Sequence, residues 1–452
     1  MQFGGQRTDM NLQPIGEPHN FLITMSEDIL PDPEAILVTG ITPQQTKADG
    51  ITEAEFLKIF QEQITTPDTI FVGFNNIRFD DEFMRFMQYR NFYDAYEWQW
   101  QDGRSRWDLL DVTRMTRALR PEGIKWPFNS EGKPSNQLTL LTSVNKLDHS
   151  KAHDALNDVY ATIALAQLLR AKQPKLFDYL LTLRDKKTIK ALVNSGQPLL
   201  YTSGKYQSEL EKTTVVATIM EHPKKQGVLV YDLRYDPKPF LGMSPEQLVK
   251  IWQWQKDPDA VRLPVKTLQY NRCPAVAPLG KLEEDVKKRL DIDLKMMLAR
   301  QKQVDDSGFK QNLLKALEIM DQQLQTRLLE NVQTVDGQLY DGFLDDKDKP
   351  LMSAIRSALP DNLTDFGSKL HDKRLQALLP LYKARNFPSS LTAEERSAWD
   401  AYRQHRLMDG GEDSRLGKYF ARLQVLQETP HLTDEQRYLL TELELYGQSM
   451  MP

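Results

Sequence analysis

Apolar residues recur at helical spacing through residues 151–174, where Ala155, Val159, Ile163, Ala166 and Leu169 share one face and Pro174 closes the run. Asp158 falls beside Thr162 and Leu169 on the margin of that face, where a carboxylate is costly unless a cation or hydrogen-bond donors offset it. His153 stands about one and a half turns earlier, at the mouth of the helix. Two readings fit. One is a metal-binding carboxylate beside a general base. The other is an acid favoured by the helix dipole next to a solvated histidine.

Upstream, residues 1 to 24 read as short strands broken at Asn11 and at Gly16-Glu17-Pro18, with FLITM as the second strand. LPDPEAILVTGITPQQTKADG reads as a loop, and Thr52 to Ile64 as an amphipathic helix with Phe56, Ile59 and Phe60 on one side. TIFVGF then predicts a buried strand and Asn75-Asn76 a turn, after which Asp80, Asp81 and Glu82 open a helix that turns Phe83, Phe86 and Met87 inward. Asp81 and Glu82 suit dipole compensation. Asp80 follows a strand, and sites in open α/β sheets gather at strand carboxyl ends. Residues 83 to 107 hold nine aromatics, with Arg85, Arg90, Arg104 and Arg106 interleaved. Phe83, Phe86 and Phe92 have a core spacing, whereas Tyr96, Trp98 and Trp100 alternate with polar neighbours as a surface ribbon would. Such a ribbon serves either packing or the stacking of single-stranded nucleic acid.

Downstream, the helical pattern breaks at Gly196 and Pro198. TTVVATIM, GVLVYDLRY, VKTLQY and PAVAPLG then predict a small β-barrel or sandwich between Tyr201 and Gly280, with a helix inserted from Ser244 to Trp254. From Lys281 the pattern is helical throughout, as in LLKALEIMDQQLQTRLLENV, DKRLQALLPLYKARN and RYLLTELELYGQ. Lys369, Lys373, Arg374, Lys383 and Arg385 form either a solvated face or a basic wall for nucleic acid. These breaks divide the chain into residues 1–175, 176–325 and 326–452.

Composition narrows the class. The chain of 452 residues is long enough for two to four domains, with an ordinary 40% hydrophobic and 27% charged residues. A formal net charge of -5 argues against a protein that coats nucleic acid with its whole surface, so any polyanion site is a local groove. The single cysteine, Cys273, excludes an intramolecular disulfide and suits a reducing cytosol. The amino terminus has no long apolar run that reads as a signal peptide or anchor, which predicts a soluble cytoplasmic protein.

FVGFNNIRFDDEFMR, SRWDLLDVTRMTRALRPEGIKWP and HSKAHDALNDVYATIALA together resemble bacterial exodeoxyribonuclease I, of the DEDDh exonucleases, and the resemblance continues through LPVKTLQYNRCP, QLYDGF and KARNFP. It implies an α/β ribonuclease H-like exonuclease domain, a small SH3-like β domain that helps close a channel over DNA, and an all-α C-terminal domain. The implied activity is 3′ to 5′ removal of nucleotides from single-stranded DNA, in DNA repair and recombination, by two-metal hydrolysis. By resemblance, Asp80 and Asp158 hold Mg²⁺, with Mn²⁺ as a substitute, and His153 is the general base. Arg85, Tyr96 and Trp100 stand where the family contacts its single strand, Arg104 and Arg106 continue that basic ribbon, and Gln137 occupies a place where an arginine that touches the nucleotide is expected. Implied partners are single-stranded DNA and the acidic C-terminal tail of single-stranded DNA-binding protein, with the enzyme a monomer that binds no membrane. The family begins with a strand ending in Asp-x-Glu, and this sequence starts just after it. Asp32-Pro33-Glu34 has the letters but not the place. The expectation is therefore a metal site two carboxylates short, a central strand lacking, and little activity from residues 1–452. The rival readings are a non-catalytic single-stranded-DNA-binding remnant and a 3′ to 5′ exoribonuclease.

Overall fold

The computed structural model describes residues 1–147, 154–253, 256–257, 260–280, 282–330 and 334–451. In the first domain β1 (Gln2–Gly5) pairs antiparallel with β2 (His19–Leu22). The stretch expected to be a loop instead forms two short helices, α1 (Pro33–Thr39) and α2 (Pro43–Asp49), each opened by a capping side chain, Asp32 and Thr42, and a proline in the first turn. Asp32 is thus a helix cap, and Glu34 is paired with Arg422.

The expected amphipathic helix is α3 (Glu53–Ile59), continued by a π-helical turn at Phe60–Ile64. Strand β3 (Ile70–Gly73) leads through a turn into α4 (Asp80–Arg90) and back to β4 (Ser105–Asp108), and the two strands run parallel. Their register sets Gly73 opposite Asp108, so both strands end at one level. The strand expected to be buried is partly open, with Val72 43% exposed, and Phe83 points outward at 51% rather than into the core. The sheet hydrogen bonding of this domain comes as two separate pairs, β1–β2 and β3–β4.

Helices α5 (Leu109–Leu119), α6 (Leu138–Asn145), α7 (Ala155–Lys172) and α8 (Pro174–Thr182) complete the domain. The buried residues of α7 are Ala161, Thr162, Leu165, Ala166 and Leu169, not the whole predicted stripe. The reason is packing on two sides, against β1 on one and against α5, α6 and α8 on the other. Gly4 makes the first contact possible, since a Cβ there would lie 2.6 Å from the carbonyl carbon of Ala155. Helix α8 packs on α5 and α7, with Trp107 Nε1 donating to Leu180 O at 3.2 Å, so this packing unit continues past residue 175.

After α9 (Lys186–Asn194) comes an antiparallel sheet ordered β8–β7–β6–β5–β9. Its strands are β5 (Leu199–Thr202), β6 (Thr213–Glu221), β7 (Gly227–Asp232), β8 (Val265–Gln269) and β9 (Ala275–Pro278), rich in β-branched residues. Helices α10 (Lys238–Leu241) and α11 (Pro245–Trp252, capped by Ser244) are inserted before β8, and α12 (Glu284–Arg289), α13 (Leu294–Val304) and α14 (Ser307–Glu330) follow, α14 packing on α10 and α11. One continuous apolar core runs from Trp107 and Met115 of the first domain into Val216, Leu229 and Leu268 of this sheet.

The remaining helices are α15 (Asp348–Ser357), α16 (Lys373–Asn386), α17 (Ala393–Met408), α18 (Arg415–Gln427) and α19 (Asp434–Ser449). They share one core with Tyr89 and Phe92 at the end of α4 and another with Ile36 of α1. The basic wall expected here is largely dismantled: Arg374 is spent on Asp372 and three carbonyls, Lys383 on Glu395 at 2.8 Å, and Arg385 on Asp28 and Asp336, both at 2.7 Å. No described helix is long and apolar enough to cross a membrane.

Candidate active site

Asp80 opens α4, which follows β3 through the turn at Asn76–Arg78. The residue is exposed as a whole, yet its carboxyl is hemmed in by protein atoms. This burial, opposed by a backbone hydrogen bond and reinforced by the neighbouring Asp81 charge, pushes Asp80 up to about 6. At the end of the adjacent strand, Asp108 is buried, caps α5 by accepting from Leu110 N at 3.0 Å, and accepts from Asn75 N at 2.9 Å. Burial likewise lifts Asp108 to about 6, despite those two donors. Asp108 therefore pins the turn that delivers Asp80, a role that a strand-ending aspartate followed by an apolar helix could have announced.

Asp158 lies half-buried one turn into α7, its backbone N–H bonded to Asp154 O at 3.0 Å and its carbonyl accepting from Thr162 Oγ1 at 2.8 Å. The head of α7 is anchored on β1: Gln2 Nε2 donates to Asp154 Oδ2 at 3.0 Å, and Ala155 N donates to Gln2 Oε1 at 3.1 Å. His153 lies outside the described residues. Among the described residues, no three His, Cys, Asp or Glu side chains are grouped so as to hold a metal ion. Asp80 and Asp158 offer the hard oxygen donors that a divalent cation prefers, but as described they do not make up a full donor set.

The aromatic ribbon is a pair of 3₁₀ turns, Glu97–Gln99 and Gln101–Gly103, rather than an extended strand. Its three rings therefore do not share the one exposed face that the alternation predicts. Trp98 is buried against Phe60 and Phe71, while Trp100 is 61% and Tyr96 38% exposed. Tyr96 lines a cavity of about 680 Å³ between the first domain and the helical domain, together with Tyr89, Tyr93, Tyr340, Phe343 and Arg356.

The arginines of this stretch behave differently from expectation. Arg104 is buried, donating to Thr65 O at 3.0 Å. Arg106 is buried, paired with Asp81 and donating to Asn271 O at 2.8 Å. Both guanidinium groups are thus turned toward protein acceptors rather than solvent. Arg85 is also mostly covered, bonded to Glu82 at 2.5 Å and Gln99 at 3.3 Å, with its guanidinium 5.5 Å from the Tyr96 ring centre. Gln137 heads α6 and is exposed.

A cationic cluster that sequence reasoning missed lies at the seam with the β domain. Arg78 and Arg114 share Asp111, at 2.9 and 2.6 Å, and both guanidinium groups close on the backbone of Gly204, where a Cβ would meet them at 3.3 and 3.0 Å. Lys266 Nζ donates to Lys205 O at 2.5 Å and sits 3.7 Å above the Tyr206 ring. Burial, with Lys205, Arg234 and Lys212 nearby and only Asp232 opposing, brings Lys266 down to about 8. Burial together with Arg78, Arg272 and Lys225 also lowers Lys205.

Comparison with known proteins is consistent along the whole chain. The exonuclease family model matches residues 1–166, the exonuclease I SH3-like domain residues 184–318, and the exonuclease I C-terminal domain residues 333–450. Exodeoxyribonuclease I of Haemophilus influenzae is 38% identical over 99% of this chain and 94% of its own, and that of Escherichia coli is 41% identical over 89% and 85%. Among solved structures, the moderately thermophilic exonuclease I from Methylocaldum szegediense superposes with a TM-score of 0.91 at 40% identity, covering 100% of this chain and 95% of that one. E. coli exonuclease I in complex with a dA16 oligonucleotide gives 0.90 at 37% identity, with the same coverage. These comparisons give no support to the expectation of a missing first Asp-x-Glu motif. Matched in all three domains, this chain belongs to the exodeoxyribonuclease I family.

Proposed function

We propose that the protein removes nucleotides from the 3′ end of single-stranded DNA at a centre built from Asp80, Asp158 and His153. Its family makes it a nuclease hydrolase, and the family implies dependence on a divalent metal. The observation that carries the site assignment is Asp80 at the head of the helix that follows β3, its carboxyl crowded by protein atoms. Mg²⁺, once bound, would polarise the phosphoryl group and lower the pKa of water, with Asp80 and Asp158 as its holders. His153 would accept the proton of the attacking water, for which an imidazole near neutrality is suited.

The cationic seam supports a path for the phosphodiester backbone, and Tyr96 and Trp100 supply stacking faces for bases. One relative's structure is described as an exonuclease I complex with SSB-Ct, which supports single-stranded DNA-binding protein as a partner here as well. We further infer a monomer working in the cytoplasm in DNA repair. The test is nucleotide release from 5′-labelled and 3′-labelled single strands of DNA and of RNA, with Asp80→Asn as control. Stepwise shortening from the 3′ end of DNA, abolished in Asp80→Asn, is expected. Equal use of RNA would favour the exoribonuclease reading.

A further inference from the structure

The first turn of α4 carries three acids, and only Asp80 is left facing outward. Asp81 is buried and paired with Arg106 of β4, whose guanidinium also donates to Asn271 O of the β domain at 2.8 Å, while the Cys273 thiol donates to Arg106 O at 3.0 Å. Glu82 accepts a hydrogen bond from the hydroxyl of Tyr340 in the helical domain, and the Tyr340 ring meets Phe86 edge-on at 5.5 Å. Arg85 closes the cluster, 2.5 Å from Glu82 and 4.0 Å from Asp81. Glu82 is thus held directly by the helical domain, and Asp81 by Arg106 of its own domain, which is in turn bound to the β domain. The N-cap of α4, Phe79, supplies no side-chain hydrogen bond to the first turn, so these tertiary contacts are what fix its acids.

We propose that this interlock sets the position of Asp80, making Arg106 and Tyr340 positioning residues through which the β domain and the helical domain both govern turnover. The inference rests on the reading of Asp80 as a metal-holding carboxylate. A shift of about 1 Å at a reacting centre can cost about 10²-fold in rate, so the loss of one tether is expected to register in kcat.

Tyr340→Phe keeps the ring and the packing on Phe86 but loses the bond to Glu82. Its kcat on single-stranded DNA should fall about 10-fold, with KM changed less than about 2-fold and more Mg²⁺ needed for half-maximal rate. Arg106→Lys should retain more kcat than Arg106→Gln, because it keeps a cation for Asp81. Thermal melting of Tyr340→Phe beside the parent tells repositioning from unfolding. Turnover surviving in Asp80→Asn would remove the site reading itself. An inactive Asp80→Asn with a Tyr340→Phe whose kcat and Mg²⁺ requirement match the parent, or whose only change is in KM, would overturn the interlock and leave the site reading standing.

Discussion

Two charged regions flank the turn at residues 75–78, and their side chains are shifted in opposite directions for one physical reason. On one side, burial lifts Asp80 and Asp108 to about 6, in each case with another carboxylate adding to the shift. On the other, burial brings Lys266 down to about 8, with Lys205, Arg234 and Lys212 adding to it. Elsewhere the fold neutralises its buried charges. Burial alone would raise Asp336, yet hydrogen bonds and charge from Arg385 and Arg406 hold its carboxyl well below the usual range. A charge kept against its neighbours, rather than paired with them, is one that a ligand of opposite sign can stabilise. Cations suit the first region and phosphates the second.

The sharpest way to break that contrast is to remove the chemistry and keep the charges. His153→Ala should lower turnover by about 10² to 10⁴-fold, while single-strand affinity, measured without metal, is little changed. If affinity collapsed and turnover per bound complex held, His153 would belong with the binding surface.

Next in size is the acidic side itself. The folded pKa of Asp108 lies above its ordinary value of 3.8, so the folded state holds the extra proton between about pH 4 and 6. Stability from this group therefore falls as pH rises through that window, and the cost is fully present above about 6. Asp108→Asn keeps acceptors for the Asn75 and Leu110 amides and removes the charge. It should match the parent in stability at about pH 4 and exceed it at pH 7 by up to about 3 kcal/mol. Denaturant melts at the two pH values check this, and an Asn variant less stable at pH 7 would show that the ionised carboxylate is compensated after all.

A comparable effect is expected at the aromatic face. Trp100 is 61% exposed, so Trp100→Ala should cost about 1 to 3 kcal/mol in single-strand affinity and leave the melting temperature nearly unchanged. The buried Trp98, replaced in the same way, should do the reverse. Filter binding and thermal melts on the two variants separate the roles.

How much of this could be read beforehand depended on where the deciding partner lies. The strands at TTVVATIM and GVLVYD were legible because β-branched runs bounded by turn residues specify themselves locally. The place of Asp80 at the head of α4 was legible from the strand and turn before it. Helices α1 and α2 were hidden because Pro33 and Pro43 read as breakers, although a proline just after Asp32 or Thr42 is also how a helix begins. The burial of Arg104 and Arg106 was not legible because their acceptors, Thr65 O, Asp81 and Asn271 O, are distant in sequence, and an arginine beside tryptophans looks the same whether it faces in or out. The cationic seam was invisible for the same reason, since Arg78, Arg114, Lys205 and Lys266 meet only after two domains close together.

That seam gives the smallest and most specific expected effect. If Lys266 meets a phosphate, Lys266→Ala should flatten the dependence of log affinity on log salt by about 0.7 for one single-strand contact, with equal loss across base compositions. Its lowered pKa adds a second signature. As pH rises from 7 to 9 the parent should lose affinity as Lys266 gives up its proton, and Lys266→Ala, lacking that proton, should show a shallower loss. Lys205, Lys212 and Arg234 remain in both proteins, and losing the Lys266 charge raises the pKa of these neighbours, which makes the variant's loss shallower still. Lys369, whose ammonium lies 5.2 Å from the ring centre of Phe366 and which belonged to the basic wall expected from sequence, serves as the control. Lys369→Ala should leave both slopes as they are. A salt slope reduced equally by the two variants would mean that affinity follows net charge rather than the seam, and the contrast between crowded and neutralised cations would lose its functional meaning.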